Sequence, residues 1–267
     1  MGLIDKLVAI GNGFRSSRGT TKEYTLDEMA VLAAEKTGGG DDGSLKALIE
    51  RTATEITLPS DLTSIGGYVF YYCNKLVSIS LPDGITSIGS SAFSGCSELV
   101  SISLPDGITS IGSSAFYFCN NLALTSLPAG LTSIGSSACY NCPNIALTSL
   151  QDGLTSIGSS AFYNCANLAL TSLPDGLTKI DTGTFNICTN LALTSLPAGL
   201  TSIGSSAFSG CSALQEITFN SKPSINSTAF RNCTNLLTIN VPWAEGEVSG
   251  APWGATNATI NYNYTGG

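Results

Sequence analysis

With 267 residues, 43% of them hydrophobic, the chain is long enough to bury a core in one domain or one elongated array, and its composition is not that of a disordered protein. The formal charge of −8 argues against a nucleic-acid partner: seven of the eleven basic residues fall in the first 51 positions, leaving Lys75, Lys179, Lys222 and Arg231 for the rest. Histidine is absent, which removes the commonest general base and the commonest neutral-pH metal ligand, so neither a metal site nor a cofactor is expected.

Residues 1–37 read as a helical attachment or oligomerisation segment. Leu3, Leu7, Ile10 and Phe14 form one apolar helical stripe. A second helix, carrying Leu26 and Met29, opens with Thr25 and Glu28 at capping-box spacing and closes at Gly38. "MGLIDKLVAIGNGFR" lacks the long apolar core of a secretory signal, and no apolar run approaches the ~18 residues that span a bilayer, so neither export nor membrane insertion is expected. "GGGDDG" (38–43) is a Gly-rich linker. Residues 44–58 then predict an N-terminal cap, a helix from Ser44 followed by a first strand from Glu55 to Leu58.

Eight cysteines follow at positions 73, 96, 119, 142, 165, 188, 211 and 233, a period of 23 residues with one final step of 22. Such a period is the signature of a solenoid. Within a unit, Leu99, Ile102 and Leu104 mark a short strand ended by Pro105 and Gly107, and "GITSIG" marks a second extended segment. "SSAFYFC" places Ala115, Phe116, Cys119 and Leu122 at i, i+1, i+4 and i+7, the spacing of a helical turn. The predicted fold class is an α/β repeat solenoid of about eight 23-residue units over residues 59–242, with a parallel β-sheet on one face and short helical turns on the other. A unit this short cannot bury its own apolar side, so neighbours must stack. Residues 243–267, with Trp243, Trp253 and the alternating "ATINYNY", read as a C-terminal cap, with sugar stacking on exposed rings as the alternative.

The regular spacing argues for a ladder of reduced, buried cysteines rather than disulfides. Cys139 and Cys142 form a C-x-x-C, but both stand at core positions of the repeat, with no second pair and no histidine. Asp83, Asp106, Asp152 and Asp175 recur singly in "PDG" or "QDG" turns, where Asp serves its own backbone, and no catalytic residue is expected.

One stretch departs from the pattern. "LVSISLP" at 76–82 and 99–105 becomes "LALTSLP" at 122–128, 168–174 and 191–197 and "IALTSLQ" at 145–151, so Leu124, Leu147, Leu170 and Leu193 sit one place ahead of the inward isoleucine. With the register unchanged, these leucines point out beside Ser126, Ser149, Ser172 and Ser195 and form a candidate contact surface. A local bulge that turns them inward and leaves threonine in water is the competing reading.

Residues 52–242, exemplified by "CSELVSISLPDGITSIGSSAF", resemble the BspA-like (Treponema-type) leucine-rich repeats, and "LIDKLVAIGNGFR" with "YTLDEMA" resembles the N-termini of phage and prophage tail-associated proteins. The resemblance implies a non-enzymatic binding or adhesion protein. The expected form is a virion component assembled in the bacterial cytoplasm, a homo-oligomer (a trimer) that contacts other virion proteins and presents the solenoid to protein or glycan on a cell surface. The alternatives are a bacterial surface or secreted adhesin and a purely structural virion component.

Overall fold

The computed structural model describes residues 54–58, 60 and 62–266. Over these the chain winds into a parallel β-solenoid of about nine turns. Each turn contributes up to two very short strands, which pair only with the same segment of the turn before and after.

The first ribbon is built from β1 (Glu55–Thr57), β2 (Ser78–Ser80) and β4 (Ser101–Ser103), and after a gap from β9 (Ser195–Leu196), β11 (Glu216–Phe219), β13 (Thr238–Asn240) and β14 (Thr259–Asn261). The second is built from β3 (Ser87–Ile88), β5 (Ser110–Ile111), β6 (Ser133–Ile134) and β7 (Ser156–Ile157), and then β8 (Lys179–Ile180), β10 (Ser202–Ile203) and β12 (Ser224–Ile225). All pairings are parallel and in register with the repeat, as in Ile79↔Ile102 and Ile111↔Ile134. The one-residue contraction before Cys233 falls in the turn between the ribbons. Ser195 still pairs with Thr218 across 23 residues, whereas Ser202 pairs with Ser224 across 22.

The second ribbon divides between β7 and β8, at a change in one column. Gly89, Gly112, Gly135, Gly158 and Gly204 lie so close to the preceding turn that a Cβ would sit 2.4–2.6 Å from its backbone nitrogen. In the unit between Gly158 and Gly204 that place is taken by Asp181. This is the step at which the ribbon breaks, although a Cβ in this column does not by itself break it, since Asn226 stands there too and still donates to the Ile203 carbonyl while β10 pairs with β12.

The expected helical turns are not there: no helix occurs among the described residues, and the predicted α/β class is corrected to an all-β solenoid. In the segment from Ser114 to Phe118, the amides of Ser114, Phe116 and Phe118 donate along the solenoid axis to the carbonyls of Ser136, Ala138 and Tyr140 in the next turn, not four residues back. The first and last of these three residues take left-handed backbone angles, with φ of 56° at Ser114 and 58° at Phe118. The apolar spacing mimicked a helix because a chain of tight turns also buries Ala115, Phe116, Cys119 and Leu122 together. The helical expectations for residues 1–37 and for the helix from Ser44 lie outside the described residues.

One continuous core fills the solenoid. Buried rings stack from turn to turn, Phe70–Phe93–Phe116 at 5.0 and 5.5 Å, and Phe162–Phe185–Phe208–Phe230 at 5.8, 5.7 and 5.1 Å. Cys139 separates the two stacks. At the C-terminal end Trp253 donates through Nε1 to the Ser249 carbonyl and is fully buried, and Trp243 lies edge-on to Phe219. Both tryptophans therefore belong to the core at this end and are not open to a sugar.

Candidate binding surface

The leucines of "LALTSLP" and its near copy point inward. Leu124, Leu147, Leu170 and Leu193 are 6%, 0%, 0% and 1% exposed, whereas Thr125, Thr148, Thr171 and Thr194 face solvent. This corrects the candidate contact surface: the four leucines belong to the core and are not available to a partner. In the regular unit two outward residues, Val100 and Ser101, precede the inward Ile102; in the shifted unit two outward residues, Thr125 and Ser126, follow the inward Leu124. The non-alternating step has moved into the middle of the strand, so no strand forms at 122–128, 145–151 or 168–174. The inter-turn bond changes partner accordingly, from Val100 N–H donating to the Val77 carbonyl to Ala146 N–H donating to the Leu124 carbonyl. Burying an apolar side chain stabilises by ~1.5–3 kcal/mol, more than one ladder bond contributes net.

What this leaves at the surface is a band of hydroxyls. Ser126, Ser149 and Ser172 are exposed beside the threonines, and Ser195 is half-buried at the start of β9. On the second ribbon Thr86, Thr109, Thr132 and Thr155 each donate a side-chain bond to the threonine carbonyl one turn back, at 3.0–3.3 Å. Asp83, Asp106, Asp152 and Asp175 are all exposed, and Asp106 Oδ1 accepts from the Ala129 amide of the next turn at 3.4 Å, a bond between turns in place of the local one expected of it. Leu3, Leu7, Ile10, Phe14, Leu26 and Met29 lie outside the described residues.

The cysteines are free and buried. Each thiol from Cys96 onward in the period donates to the carbonyl at the aromatic position of the previous turn, as Cys119 Sγ to Phe93 O at 3.1 Å and Cys165 Sγ to Cys139 O at 3.0 Å. They therefore act as hydrogen-bond donors as well as apolar filling. Burial pushes the thiol of Cys139 up to about 12 and that of Cys142 well above the ordinary value, which removes the thiolate that redox or metal chemistry at the C-x-x-C requires.

A second surface feature escaped the sequence reading. On the turn side, Tyr117, Tyr140 and Tyr163 stack at 4.9 and 4.4 Å with their rings near parallel. Desolvation, reinforced by the neighbouring phenols of Tyr163 and Tyr117, raises the Tyr140 hydroxyl above its ordinary value. Beside the stack, Asn164 Nδ2 donates to Asn141 Oδ1 and Asn141 Nδ2 to Asn120 Oδ1. The signal was available as tyrosine recurring at the 23-residue period one place after the buried ring. It went unread because the segment had been assigned to a helix.

Residues 46–169 and 155–248 match the model of the BspA type leucine rich repeat region. Among solved structures, a Treponema pallidum leucine-rich repeat protein is 34% identical, with 61% of this chain and 78% of that one covered at a TM-score of 0.54. A leucine-rich repeat protein from Bacteroides ovatus shares the fold at 23% identity, covering 78% of this chain and 68% of its own, with a TM-score of 0.51. No curated protein matches.

Proposed function

From a chain that belongs to the BspA-type leucine-rich repeat family, we propose a non-enzymatic attachment protein that presents its solenoid to protein or glycan on a cell surface. The observation that carries this reading is the band of outward hydroxyls from Thr125 to Ser195, uncharged and held at a fixed spacing by buried leucines. Such a band offers many weak hydrogen bonds in register, which suits an extended partner, and it contributes nothing to the core.

In the finer reading the protein is a tail-associated virion component, assembled in the host cytoplasm, joined to other virion proteins through residues 1–37 and trimeric through the stripe of Leu3, Leu7, Ile10 and Phe14 with Leu26 and Met29. The resemblance of the first residues to tail-associated proteins favours it. The second reading is a surface or secreted adhesin, favoured by the family itself. A gold-labelled antibody against the chain, applied to particles and cells of the source culture, separates them. Label on tails supports the first, label on the envelope alone the second, and label on neither overturns both. For binding itself, Ser149→Arg with Ser172→Arg in the full chain removes cell attachment while leaving the melting temperature within about 2 °C, as expected for exposed sites; undiminished attachment refutes the role of the hydroxyl band.

A further inference from the structure

On the turn side one column combines left-handed backbone with half-exposed apolar side chains that lie partly against the next turn, Tyr72 at Gly95, Phe118 beside Tyr140 and Ile187 at Gly210. Two places after the buried ring, every unit from Cys73 to Cys233 has a residue in the left-handed region, with φ between 54° and 78°. Five units put Gly or Asn there, which adopt this conformation readily: Gly95, Asn141, Asn164, Gly210 and Asn232. Three put bulky residues there, Tyr72, Phe118 and the β-branched Ile187, although these side chains strain the backbone and remain 50%, 39% and 38% exposed.

The order of these residues along the solenoid is close to a palindrome. Numbering the units one to eight by their cysteines, units two and seven read "SAFSGCS", with Gly95 and Gly210 in this column. Units three and six carry the prongs Phe118 and Ile187. Units four and five carry Asn141 and Asn164, preceded by Tyr140 and Tyr163. Reversing the array about the point between units four and five sets like against like over units two to seven, apolar on apolar, amide on amide, phenol on phenol and glycine on glycine, and sets Tyr72 of unit one against Asn232 of unit eight.

We propose that this turn face binds a second copy of the chain, antiparallel and face to face, across a two-fold axis lying in the interface between units four and five. A two-fold contact requires a self-complementary patch in which residue i meets j and j meets i. Here Phe118 meets Ile187 of the other copy twice, and Tyr140 meets Tyr163 twice. Charge selects the same occupant. A chain of net charge −8 repels its own copies, yet the turn segments of units three to seven, 114–121, 137–144, 160–167, 183–190 and 206–213, contain no Asp, Glu, Lys or Arg, and the charges of the outer units are the single residues Lys75, Glu98 and Arg231. A sugar ligand fits less well, because Tyr140 has its faces occupied by Tyr117 and Tyr163 and cannot lie against a pyranose. The contact leaves the hydroxyl band of the first ribbon open to its own partner and does not depend on the attachment reading.

Cysteine pairs test the register on the full chain. Phe118 and Ile187 lie three turns apart, about 14 Å at ~4.8 Å per step, too far for a disulfide within one copy. Under mild oxidant the Phe118→Cys, Ile187→Cys double variant is expected to form a covalent dimer. Each single variant alone is expected to stay uncoupled, and the two single variants mixed are expected to couple. No coupling in the double variant, or equal coupling of Phe118→Cys with itself, overturns the proposal. Sedimentation of the unmodified chain provides the independent measurement. An even number of copies, two from this contact alone or six where the trimer of residues 1–37 also forms, halved by Phe118→Asn with Ile187→Asn, supports the interface; an odd number, or a mass the Asn pair leaves unchanged, overturns it.

Discussion

Replacing Leu147 by alanine and, separately, Thr148 by alanine tests the inward turn of the shifted leucines. Leu147 has no exposed surface and stands between turns that contribute Leu124 and Leu170 to the same core. Truncating a buried leucine costs ~2–5 kcal/mol, rising with the cavity that remains. Here the turn is clamped on both sides, by Ala146 N–H donating to the Leu124 carbonyl and Ala169 N–H donating to the Leu147 carbonyl, so the site cannot collapse and the cost falls at about 3–4 kcal/mol. For a folded unit of this size each kcal/mol moves the midpoint by ~2–4 °C, so Leu147→Ala lowers the melting temperature by roughly 10 °C. Thr148 is exposed, and Thr148→Ala stays within about 0.5 kcal/mol. Thermal unfolding followed by far-UV circular dichroism at matched low concentration reads both. A Thr148→Ala melt as low as that of Leu147→Ala, or a Leu147→Ala melt within 1 °C or so of the unmodified chain, refutes the bulge.

Gly135→Ala places a Cβ 2.4 Å from the Ser113 nitrogen and forces two turns apart, a loss of about 3 kcal/mol or more that the same melts detect. Asp181→Gly restores the column that Asp181 interrupts; its amide is then expected to donate to the Ile157 carbonyl, as Gly158 does to Ile134, and to exchange more slowly with deuterium than the Asp181 amide. The thiols predict an alkaline weakness. Burial holds Cys139 and Cys233 near 12 when folded, while an unfolded thiol ionises near ~8.5. Their contribution is complete below about pH 8.5 and is lost as pH rises through 12, by up to ~1.4 kcal/mol per pH unit for each thiol. Urea midpoints that do not fall between pH 8.5 and 10.5 contradict this, as does rapid labelling of the native described cysteines by a thiol reagent at pH 8.

The repeat, the buried rings and the inward isoleucines were all legible in the sequence, because each is a statement about apolar spacing at a fixed period. The turn segment was not. Ala115, Phe116, Cys119 and Leu122 satisfy a helical template, and what distinguishes the true structure is where the amides of Phe116 and Phe118 point, which apolar spacing does not encode. Asn or Gly in the column of Gly95, Asn141, Asn164, Gly210 and Asn232 was the contrary signal, since both favour left-handed backbone and disfavour a helix interior. The leucine shift was legible as an anomaly but not as an outcome. Side-chain alternation predicts a change of face only while the strand persists, and here the strand gave way and the side chain kept its burial.

As far as Thr218 each turn addresses its neighbours at a constant sequence offset: 23 residues for the ribbon pairs and the threonine hydroxyls, and 26 for the thiols from Cys96 to Cys211. Nothing in a middle unit refers to its distance from either end. Excising 23 consecutive residues from the region 123–193 would hand every donor an equivalent acceptor, whereas removing 22 or 24 there would leave one turn to absorb a one-residue change, as the turn before Cys233 does. Reach is consequently a matter of copy number. Adding or removing one unit moves the far end by one strand spacing, ~4.8 Å, so the chain behaves as a ruler whose gradations can be changed without redesigning any of its contacts.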